Sequence, residues 1–270
     1  MIIGKEKSEV KLACQEILAP GRNLREKFEN LKKYGFEAVE LSGERLWERK
    51  KEVMDASREA GIELGSVCGG FSCRFVAAER KEREEAMNSL KKLLKTMGEM
   101  EISGIMIVPI FGPPQIPNLS PYKEAIELER EMLLLELPEL TQFAQDSGTS
   151  IWLEPVNRYE THFINRLDEA VEICQKVNNS NLRIMADFFH MNIEEVNIVE
   201  SLKKAKDWLG HIHLADSNRF LPGQGHTNFK SPFKVLSEIN YKGYMALECG
   251  IRGEPEEELP KCVKYLKECI

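Results

Sequence analysis

The sequence predicts an α/β protein folded as one (β/α)8 barrel, in which eight parallel strands close into a ring and a helix follows each strand. Along the chain, short apolar or β-branched runs alternate with longer stretches in which apolar residues recur with the helical period. A glycine repeatedly precedes a predicted strand, and no linker rich in Pro, Gly or Ser divides the chain. We therefore expect residues 1–270 to form a single TIM-barrel domain.

Eight repeating units follow one another, each with one strand and one helix. The β-branched and apolar runs predict strands near Leu12–Ile17, Ala38–Leu41, Leu64–Cys68, Ile105–Pro109, Ser150–Val156, Leu182–Asp187, His211–Ala215 and Tyr244–Glu248. The stretches of helical period predict helices near Leu24–Tyr34, Glu44–Ala60, Ala78–Met100, Tyr122–Asp146, Leu167–Val177, Ile193–Leu209, Pro232–Ile239 and Pro255–Lys267.

Glycines mark the boundaries between these units. Because glycine adopts the left-handed conformation that ends many helices, we expect helix C-caps at six positions: Gly35, Gly61, Gly104, Gly148, Gly210 and Gly243. Within the fourth helix, Pro138 lacks a backbone donor and is expected to bend or split it. The Leu133-Leu134-Leu135 run of this helix packs on the barrel or faces a partner subunit, which leaves a homo-oligomer open.

A doubly wound parallel sheet is the alternative fold. That architecture binds nucleotides with a Gly-x-Gly-x-x-Gly turn after the first strand, or with a Gly-x-x-x-x-Gly-Lys loop. Neither motif occurs in the sequence. The barrel is therefore the preferred prediction.

Composition excludes several classes of protein. The chain is 42% hydrophobic and 30% charged, and no apolar run approaches the roughly 18 residues that span a membrane. A net charge of −7 without a basic cluster argues against nucleic acid or an anionic membrane as partner. The start, Met1 to Glu6, lacks the features of a secretory signal, which predicts a cytoplasmic location. Seven cysteines without a Cys-x-x-Cys pair argue against a disulfide framework and a thiolate zinc site.

Four residues with metal-binding side chains lie at the ends of four predicted strands. Glu154, Asp187, His213 and Glu248 are separated by 33, 26 and 35 residues, the length of one strand and one helix. Because the carboxyl ends of parallel barrel strands converge on one face, these side chains can share one cation. Each of them alone could instead meet solvent or cap a helix. Their shared position at successive strand ends favours one site.

The alternation of strand side chains agrees with this site. Trp152 and Glu154 would face inward while Ile151 and Leu153 face the helices. His211 and His213 share the inward face, so we expect His211 one layer deeper, as a hydrogen-bonded core histidine. Three carboxylates and one imidazole suit Mn²⁺, Mg²⁺ or Co²⁺ better than a structural zinc, although Zn²⁺ is compatible with this set.

Several motifs resemble those of one known family. They are Trp-Leu-Glu-Pro-Val-Asn-Arg-Tyr-Glu at 152–160, Asp-Phe-Phe-His at 187–190, His-Ile-His-Leu-Ala-Asp-Ser-Asn-Arg at 211–219, Pro-Gly-Gln-Gly at 222–225 and Leu-Glu-Cys-Gly at 247–250. With them the chain resembles the sugar isomerase and epimerase barrels related to xylose isomerase, and within these the ketose 3-epimerases that act on D-tagatose and D-psicose. The resemblance implies metal ligands at Glu154, Asp187, His213 and Glu248, and we expect one divalent ion there, with Mn²⁺ as the first choice.

The same resemblance implies the residues that bind a sugar. They are Glu160, His190 and Arg219, and Cys68 is expected on the pocket wall where the third strand ends. Asp216 has the opposite strand parity to His213, so we expect it to order the loop rather than to bind the ion. The stretch from Phe111 to Gln115 does not match the aromatic wall of the 3-epimerase branch.

Elementary chemistry explains what such a site does. A cation on the carbonyl oxygen makes the hydrogen on the neighbouring carbon acidic enough to remove. Inverting that carbon needs a base on one face and an acid on the other, and Glu154 and Glu248 are the candidates. The prediction is a metal-dependent ketose 3-epimerase of free sugars. The alternatives are an aldose-ketose or hydroxypyruvate isomerase, a lyase of the inosose dehydratase type, a DNA-repair endonuclease of the endonuclease IV type, and a metal-binding barrel without catalysis.

Overall fold

The computed structural model describes residues 11–269, and these form a closed barrel of eight parallel strands in the order β1 to β8. The ring closes where β8 pairs with β1. The strands are β1 Lys11–Gln15, β2 Ala38–Ser42, β3 Glu63–Cys68, β4 Gly104–Ile107, β5 Ser150–Leu153, β6 Leu182–Asp187, β7 Leu209–Leu214 and β8 Tyr244–Leu247. The predicted barrel is confirmed, whereas the segment Met1 to Glu6, on which the prediction of no signal sequence rested, lies outside the described residues.

Helices cover the outside of the ring. They are α1 Leu24–Tyr34, α2 Leu46–Ala60, α3 Arg80–Glu99, α4 Ala125–Asp146, α5 Leu167–Val177, α6 Phe188–Glu194, α7 Ile198–Ala205, α8 Lys230–Glu238 and α9 Pro255–Cys269. The fourth helix continues through Pro138, so of the predicted bend or split the split does not occur. Of the leucine run, Leu133 is fully buried and Leu135 is 76% exposed. Within the described residues, no helix is long and apolar enough to cross a membrane.

The helical region after β6 differs from its prediction. One helix was expected over Ile193–Leu209, but the chain forms α6 directly at the end of β6 and then α7. The cause is capping, because a side-chain acceptor satisfies the free backbone donors of a first helical turn. The carboxylate of Asp187 accepts from the backbone N–H groups of Phe189 and His190, and Asn197 caps α7 in the same way.

Three of the six predicted glycine caps are wrong. Gly35, Gly61 and Gly148 have the left-handed backbone expected of them, but Gly104, Gly210 and Gly243 do not. Gly104 and Gly210 lie inside β4 and β7, where a Cβ atom would overlap the indole ring of Trp152. These two glycines make room for a large side chain inside the barrel, which is a packing requirement and not a turn requirement.

Side chains of the strands alternate as predicted. Ile151, Leu153, Met245 and Leu247 belong to the main core between the sheet and the helices. The opposite parity points into the barrel, where Trp152 packs with Met106, Met185 and Cys68, and where Ala13, Ala38 and Ala246 form a second small cluster. The interior is therefore filled below the level at which the polar strand-end residues begin.

Candidate active site and metal centre

Four predicted residues meet at the carboxyl end of the barrel. One potential metal-ligand atom from each of Glu154, Asp187, His213 and Glu248 lies within 4.8 Å of the other three. Strand register accounts for part of this, since Asp187 on β6 is the ladder partner of His213 on β7. Glu154 and Glu248 directly follow β5 and β8, which are three positions apart around the ring. The structure thus brings all four together, as the strand-end argument predicted.

The two nitrogens of the His213 imidazole face in different directions, one toward this cluster and one toward the barrel interior. Nδ1 faces the cluster, 2.9 Å from Oε2 of Glu248 and 3.8 Å from Oδ2 of Asp187. Nε2 lies 2.9 Å from Oε1 of Glu40, a carboxylate deeper in the barrel. Burial opposes protonation of His213, but Glu40 and Glu248 outweigh it and raise its pKa well above the usual range.

The donor set fits a divalent cation. Glu154 is only 7% exposed, and its carboxylate accepts no hydrogen bond from residues 11–269; Nε2 of His190 lies 3.9 Å from it. A buried carboxylate without donors is costly unless a cation or a proton compensates its charge. Three oxygen ligands and one nitrogen match the hard, oxygen-rich coordination of Mn²⁺ or Mg²⁺.

Burial and neighbouring charges shift the pKa values of Glu154 and Glu248 in opposite directions. Burial, with the negative charges of Glu248 and Asp187, raises the pKa of Glu154 well above its ordinary value. Burial acts on Glu248 too, but His213 and Arg219 outweigh it and hold the pKa of Glu248 well below its ordinary value. Two carboxyl groups whose pKa values differ in this way are suited to act as one acid and one base.

Arg219 lies directly on this cluster. Its guanidinium donates to Oδ2 of Asp187 at 2.5 Å and to Oε2 of Glu248, and it stands 4.9 Å from the centroid of the Phe189 ring. The residue has a left-handed backbone with φ of 61°, which is uncommon outside glycine. The predicted sugar-binding arginine therefore lies at the cluster. Two N–H groups of its charged guanidinium donate to the carboxylates.

Asp216 holds the loop that carries Arg219. Its carboxylate accepts from the backbone N–H groups of four loop residues, Ser217, Gly223, Gly225 and Thr227. These bonds hold its pKa below its ordinary value although burial opposes ionisation. The loop-ordering role predicted for Asp216 agrees with this geometry.

His190 is buried beside the cluster. Its Nδ1 lies 3.2 Å from the backbone N–H of Asn157, which can only donate, so Nδ1 is the acceptor. In the neutral ring the proton is then on Nε2, which faces Glu154 at 3.9 Å and Asp187 at 4.0 Å. His190 is therefore oriented to donate a hydrogen bond into the site.

Glu160 and Cys68 occupy opposite ends of the predicted pocket. Asn157 donates to Oε1 of Glu160 at 2.9 Å, and the Glu160 side chain is 43% exposed. The thiol of Cys68 lies 3.6 Å from Oε1 of Glu248, and burial with the charge of Glu248 raises its pKa well above the usual range. Cys68 is thus a neutral donor at the level of the cluster, and Glu160 lies further out.

Sequence reasoning missed Glu40, Asn157 and His162. Glu40 has the inward parity of β2 and is a charged residue inside an apolar strand, so strand alternation could have identified it. His162 contacts Glu129 of α4 at 2.5 Å and the carbonyl of Gly112 at 2.8 Å, which ties the loops after β4 and β5 together. No local pattern marks His162 or Asn157, because their partners are distant in sequence.

Comparisons with known proteins agree with this architecture. The family model described as xylose isomerase-like TIM barrel matches residues 28–269. The chain is 33% identical over 251 residues to the 3-dehydro-D-guloside 4-epimerase of Escherichia coli K12, covering 92% of this chain and 95% of that protein. It is 30% identical over 239 residues to the D-psicose 3-epimerase of Enterocloster bolteae, covering 83% and 78%.

A solved structure is similar over the same length. The apo form of a 3-keto-D-glucoside 4-epimerase from E. coli superposes with a TM-score of 0.89 at 30% identity, covering 97% of this chain and all of that one. The family match spans most of the chain, from α1 to α9. The chain belongs to the xylose isomerase-like TIM barrel family.

Proposed function

We propose that the protein is a metal-dependent ketose 3-epimerase that inverts the carbon next to the ketone of a free, non-phosphorylated sugar. The observation that supports it best is the cluster of Glu154, Asp187, His213 and Glu248, in which two glutamates from well-separated strands share one buried site. The relatives named above are epimerases of sugars, which supports the coarser activity, an isomerase acting on carbohydrates.

Those four residues would hold one divalent cation, with Mn²⁺ as the first choice and Co²⁺, Mg²⁺ or Zn²⁺ as further candidates. His213 would bind through Nδ1, the nitrogen that faces the carboxylates. When bound, the cation supplies charge stabilisation for a negative sugar oxygen.

Proton transfer would be the task of the two glutamates. One carboxylate removes the proton from the carbon beside the ketone, and the electron pair of that C–H bond moves to the carbonyl oxygen to give an enediolate. The other carboxylic acid returns a proton to the opposite face, so the carbon is inverted and no atom is gained or lost. The opposite pKa shifts of Glu154 and Glu248 suit one acid and one base, whose roles exchange in the reverse direction.

The remaining predicted residues would bind and orient the sugar. His190 and Arg219 would donate to oxygens on which negative charge develops, and Cys68 would contact the sugar beside Glu248. Glu160 would accept from a hydroxyl at the outer end of the chain, since it stands 3.9 Å from His190 and reaches solvent. This order, from the cluster to Glu160, defines the line along which a monosaccharide would lie.

A 3-keto-glycoside 4-epimerase is the second candidate. The same proton transfer applies, because the inverted carbon is again next to a ketone. Two observations favour it: the similarity to the E. coli 4-epimerase extends over nearly the full length of both chains, and two exposed aromatic residues are the sequence neighbours of Gly112 and Glu160. Tyr159 is 82% exposed and Phe111 is 45% exposed, and a backbone hydrogen bond from Gly112 to Glu160 holds their two loops together.

Such aromatic faces are suited to stack against a second sugar ring or another glycosidic substituent. An aldose-ketose isomerase, an inosose dehydratase-type lyase and a DNA-repair endonuclease would each give a different product. The net charge of −7 argues against a phosphodiester substrate.

One experiment separates these functions. The Mn²⁺-loaded protein is incubated in D₂O with a panel of ketohexoses and with methyl 3-keto-glucoside, and NMR identifies the carbon that gains deuterium. Exchange and inversion at C3 of a ketose are expected for the 3-epimerase, whereas preference for C4 of the keto-glycoside selects the second candidate. Exchange at C1 alone would indicate an isomerase, and absence of metal-dependent exchange with every sugar would refute the proton-transfer proposal.

A further inference from the structure

A second cluster of polar residues lies directly beneath the proposed metal centre. Its centre is Glu40, a fully buried carboxylate on β2. Glu40 lies 2.8 Å from Nε2 of His211 and 2.9 Å from Nε2 of His213, both on β7. One carboxylate therefore bridges two imidazoles inside the barrel.

Every acceptor position of this carboxylate is used. Oε1 accepts from His213 and from Nε2 of Gln15 at 3.1 Å, and Oε2 accepts from His211 and from the hydroxyl of Ser66 at 2.7 Å. Two carboxylate oxygens offer about four acceptor sites, so Glu40 is saturated. Although Glu40, His211 and His213 lie close enough to hold an ion of their own, these hydrogen bonds already compensate the charge.

The bonds to Glu40 determine where the imidazole protons are. Glu40 accepts hydrogen bonds at both carboxylate oxygens, and Nε2 of each histidine points at one of these oxygens. His211 stacks on Trp152 at 4.7 Å, and its buried Nδ1 has no partner among the described residues. Both histidines therefore present Nε2–H to Glu40.

We propose that Glu40 is a positioning residue for the metal centre: it keeps a proton on Nε2 of His213 and fixes the ring plane, so that Nδ1 is the nitrogen that would release its proton and bind a cation beside Glu154, Asp187 and Glu248. This inference rests on the metal site proposed above. The free energy of orienting the imidazole is then supplied by folding, and a carboxylate behind a ligating histidine also increases its basicity.

Glutamine cannot replace this carboxylate. An amide has one acceptor oxygen and one NH₂ group, so in Glu40→Gln two of the four donors would face another donor. If the NH₂ group meets His213, the ring must move its proton to Nδ1 and loses its metal-binding lone pair. If the NH₂ group meets His211 and Ser66 instead, the amide oxygen still accepts from His213, but the negative charge of the carboxylate is lost. Both arrangements weaken metal binding.

The test measures metal binding alone, without sugar. Mn²⁺ is titrated into the wild-type protein, Glu40→Gln and Ser66→Ala, and free Mn²⁺ is followed by EPR, with folding checked by melting. We expect Glu40→Gln to bind Mn²⁺ about 10- to 100-fold more weakly. The matched control, Ser66→Ala, removes one donor from Oε2 but leaves the bond to His213, and its affinity should stay within about threefold.

The outcomes separate the two proposals. If the wild-type protein binds none of Mn²⁺, Co²⁺, Mg²⁺ or Zn²⁺, the metal centre itself is refuted. If it binds Mn²⁺ and a folded Glu40→Gln binds equally well, the positioning role of Glu40 is refuted while the metal centre stands. Should Glu40→Gln fail to fold, ¹⁵N NMR of the Zn²⁺-loaded wild-type protein decides: we expect the His213 proton on Nε2 and the metal on Nδ1, and the reverse assignment overturns the proposal.

Discussion

Asn157 shows how one buried amide can organise two residues proposed to bind the sugar. Its backbone N–H donates to Nδ1 of His190, and its side-chain amide lies 2.8 Å from the same nitrogen and 2.9 Å from Oε1 of Glu160. Only a group with two amide hydrogens can face both acceptors. The proposed donor direction of His190 and the position of Glu160 therefore depend on Asn157.

Replacing Asn157 with aspartate tests this dependence. The new carboxylate would face the lone pair of His190 and the carboxylate of Glu160, so both side chains should leave their positions. We expect kcat/KM for the best substrate to fall about 10- to 100-fold, because misplacement of orienting groups by about 1 Å has effects of that size. Asn88→Asp, on the exposed face of α3, is the control for the added charge. Unchanged kinetics in Asn157→Asp would contradict the orienting role.

The proposed proton-carrier role of Glu248 gives the second prediction. Glu248→Gln keeps the shape of the side chain and the donors His213 and Arg219, but it cannot accept a proton. We expect the fold to persist and kcat to fall by about 10²- to 10⁴-fold, the range for loss of general acid or base catalysis. Metal content is measured in parallel, since Glu248 is also a proposed ligand. A variant that keeps its Mn²⁺ and its turnover would remove Glu248 from catalysis.

At the residue scale, the sequence predicted the four-residue cluster because strand parity and strand-end position are local properties. It also predicted that His211 lies deeper, and the structure places His211 on Glu40 under His213. Asn157 and His162 were not predictable, because their roles come from loops whose partners are 33 and 50 residues away. Pairings of that kind depend on tertiary structure.

At the element scale, Asp187 both ends β6 and caps α6, whereas the sequence predicted that the next helix begins only at Ile193. As N-cap of α6 it uses Oδ1 for the backbone donors of Phe189 and His190, while Oδ2 faces Arg219 and His213. The carboxylate is therefore divided between the first turn of a helix and the proposed metal centre. The same cap places His190 in the first turn of α6, which explains why the helix begins directly at the strand end.

A partly buried glutamate of α4 that faces Arg83 of α3 predicts how stability changes with pH. Burial, only partly offset by Arg83 at 3.5 Å, raises the pKa of Glu136 to about 7. A folded-state pKa above the unfolded one means that the native state holds the proton more tightly, so this group destabilises the fold as pH rises from about 4.5 to 7. Glu136→Gln removes that effect.

We expect Glu136→Gln to melt above the wild-type protein at pH 8 and close to it at pH 4.5. Allowing for partial exposure, the gain at pH 8 is about 1 kcal/mol, or roughly 2–4 °C for a chain of this size. The control is Glu131→Gln on the same helix, whose side chain is 59% exposed and pairs with Lys123. A melting difference that does not change between the two pH values would refute the assigned cause.

At the scale of the whole molecule, the barrel was predictable because its period is repeated eight times. Two helices, α1 and α5, and the strand β6 match their predicted bounds. The errors arose where tertiary packing overrides local preference, as at Gly104 and Gly210, which accommodate Trp152. The loops after β4 and β5 were not predictable for the same reason, and they carry Phe111 and Tyr159, on which the proposed choice between a free ketose and a glycoside would depend.

The barrel also predicts that the metal contributes to stability. The proposed ligands lie at or next to the carboxyl ends of four consecutive strands, β5 to β8, so one ion would connect half of the ring and offset the repulsion among three carboxylates. A ligand that binds only the folded state stabilises it by about 2.7 kcal/mol at a concentration 100 times its dissociation constant. We expect removal of metal by EDTA to abolish epimerisation and lower Tm by several degrees, and added Mn²⁺ to restore both.

Asp187→Asn is the matched variant, because it keeps the side-chain acceptor that caps α6 and lowers the negative charge of the centre. Its Tm should respond less to Mn²⁺. Equal responses of Tm in the wild-type protein and Asp187→Asn would place the stabilising ion elsewhere.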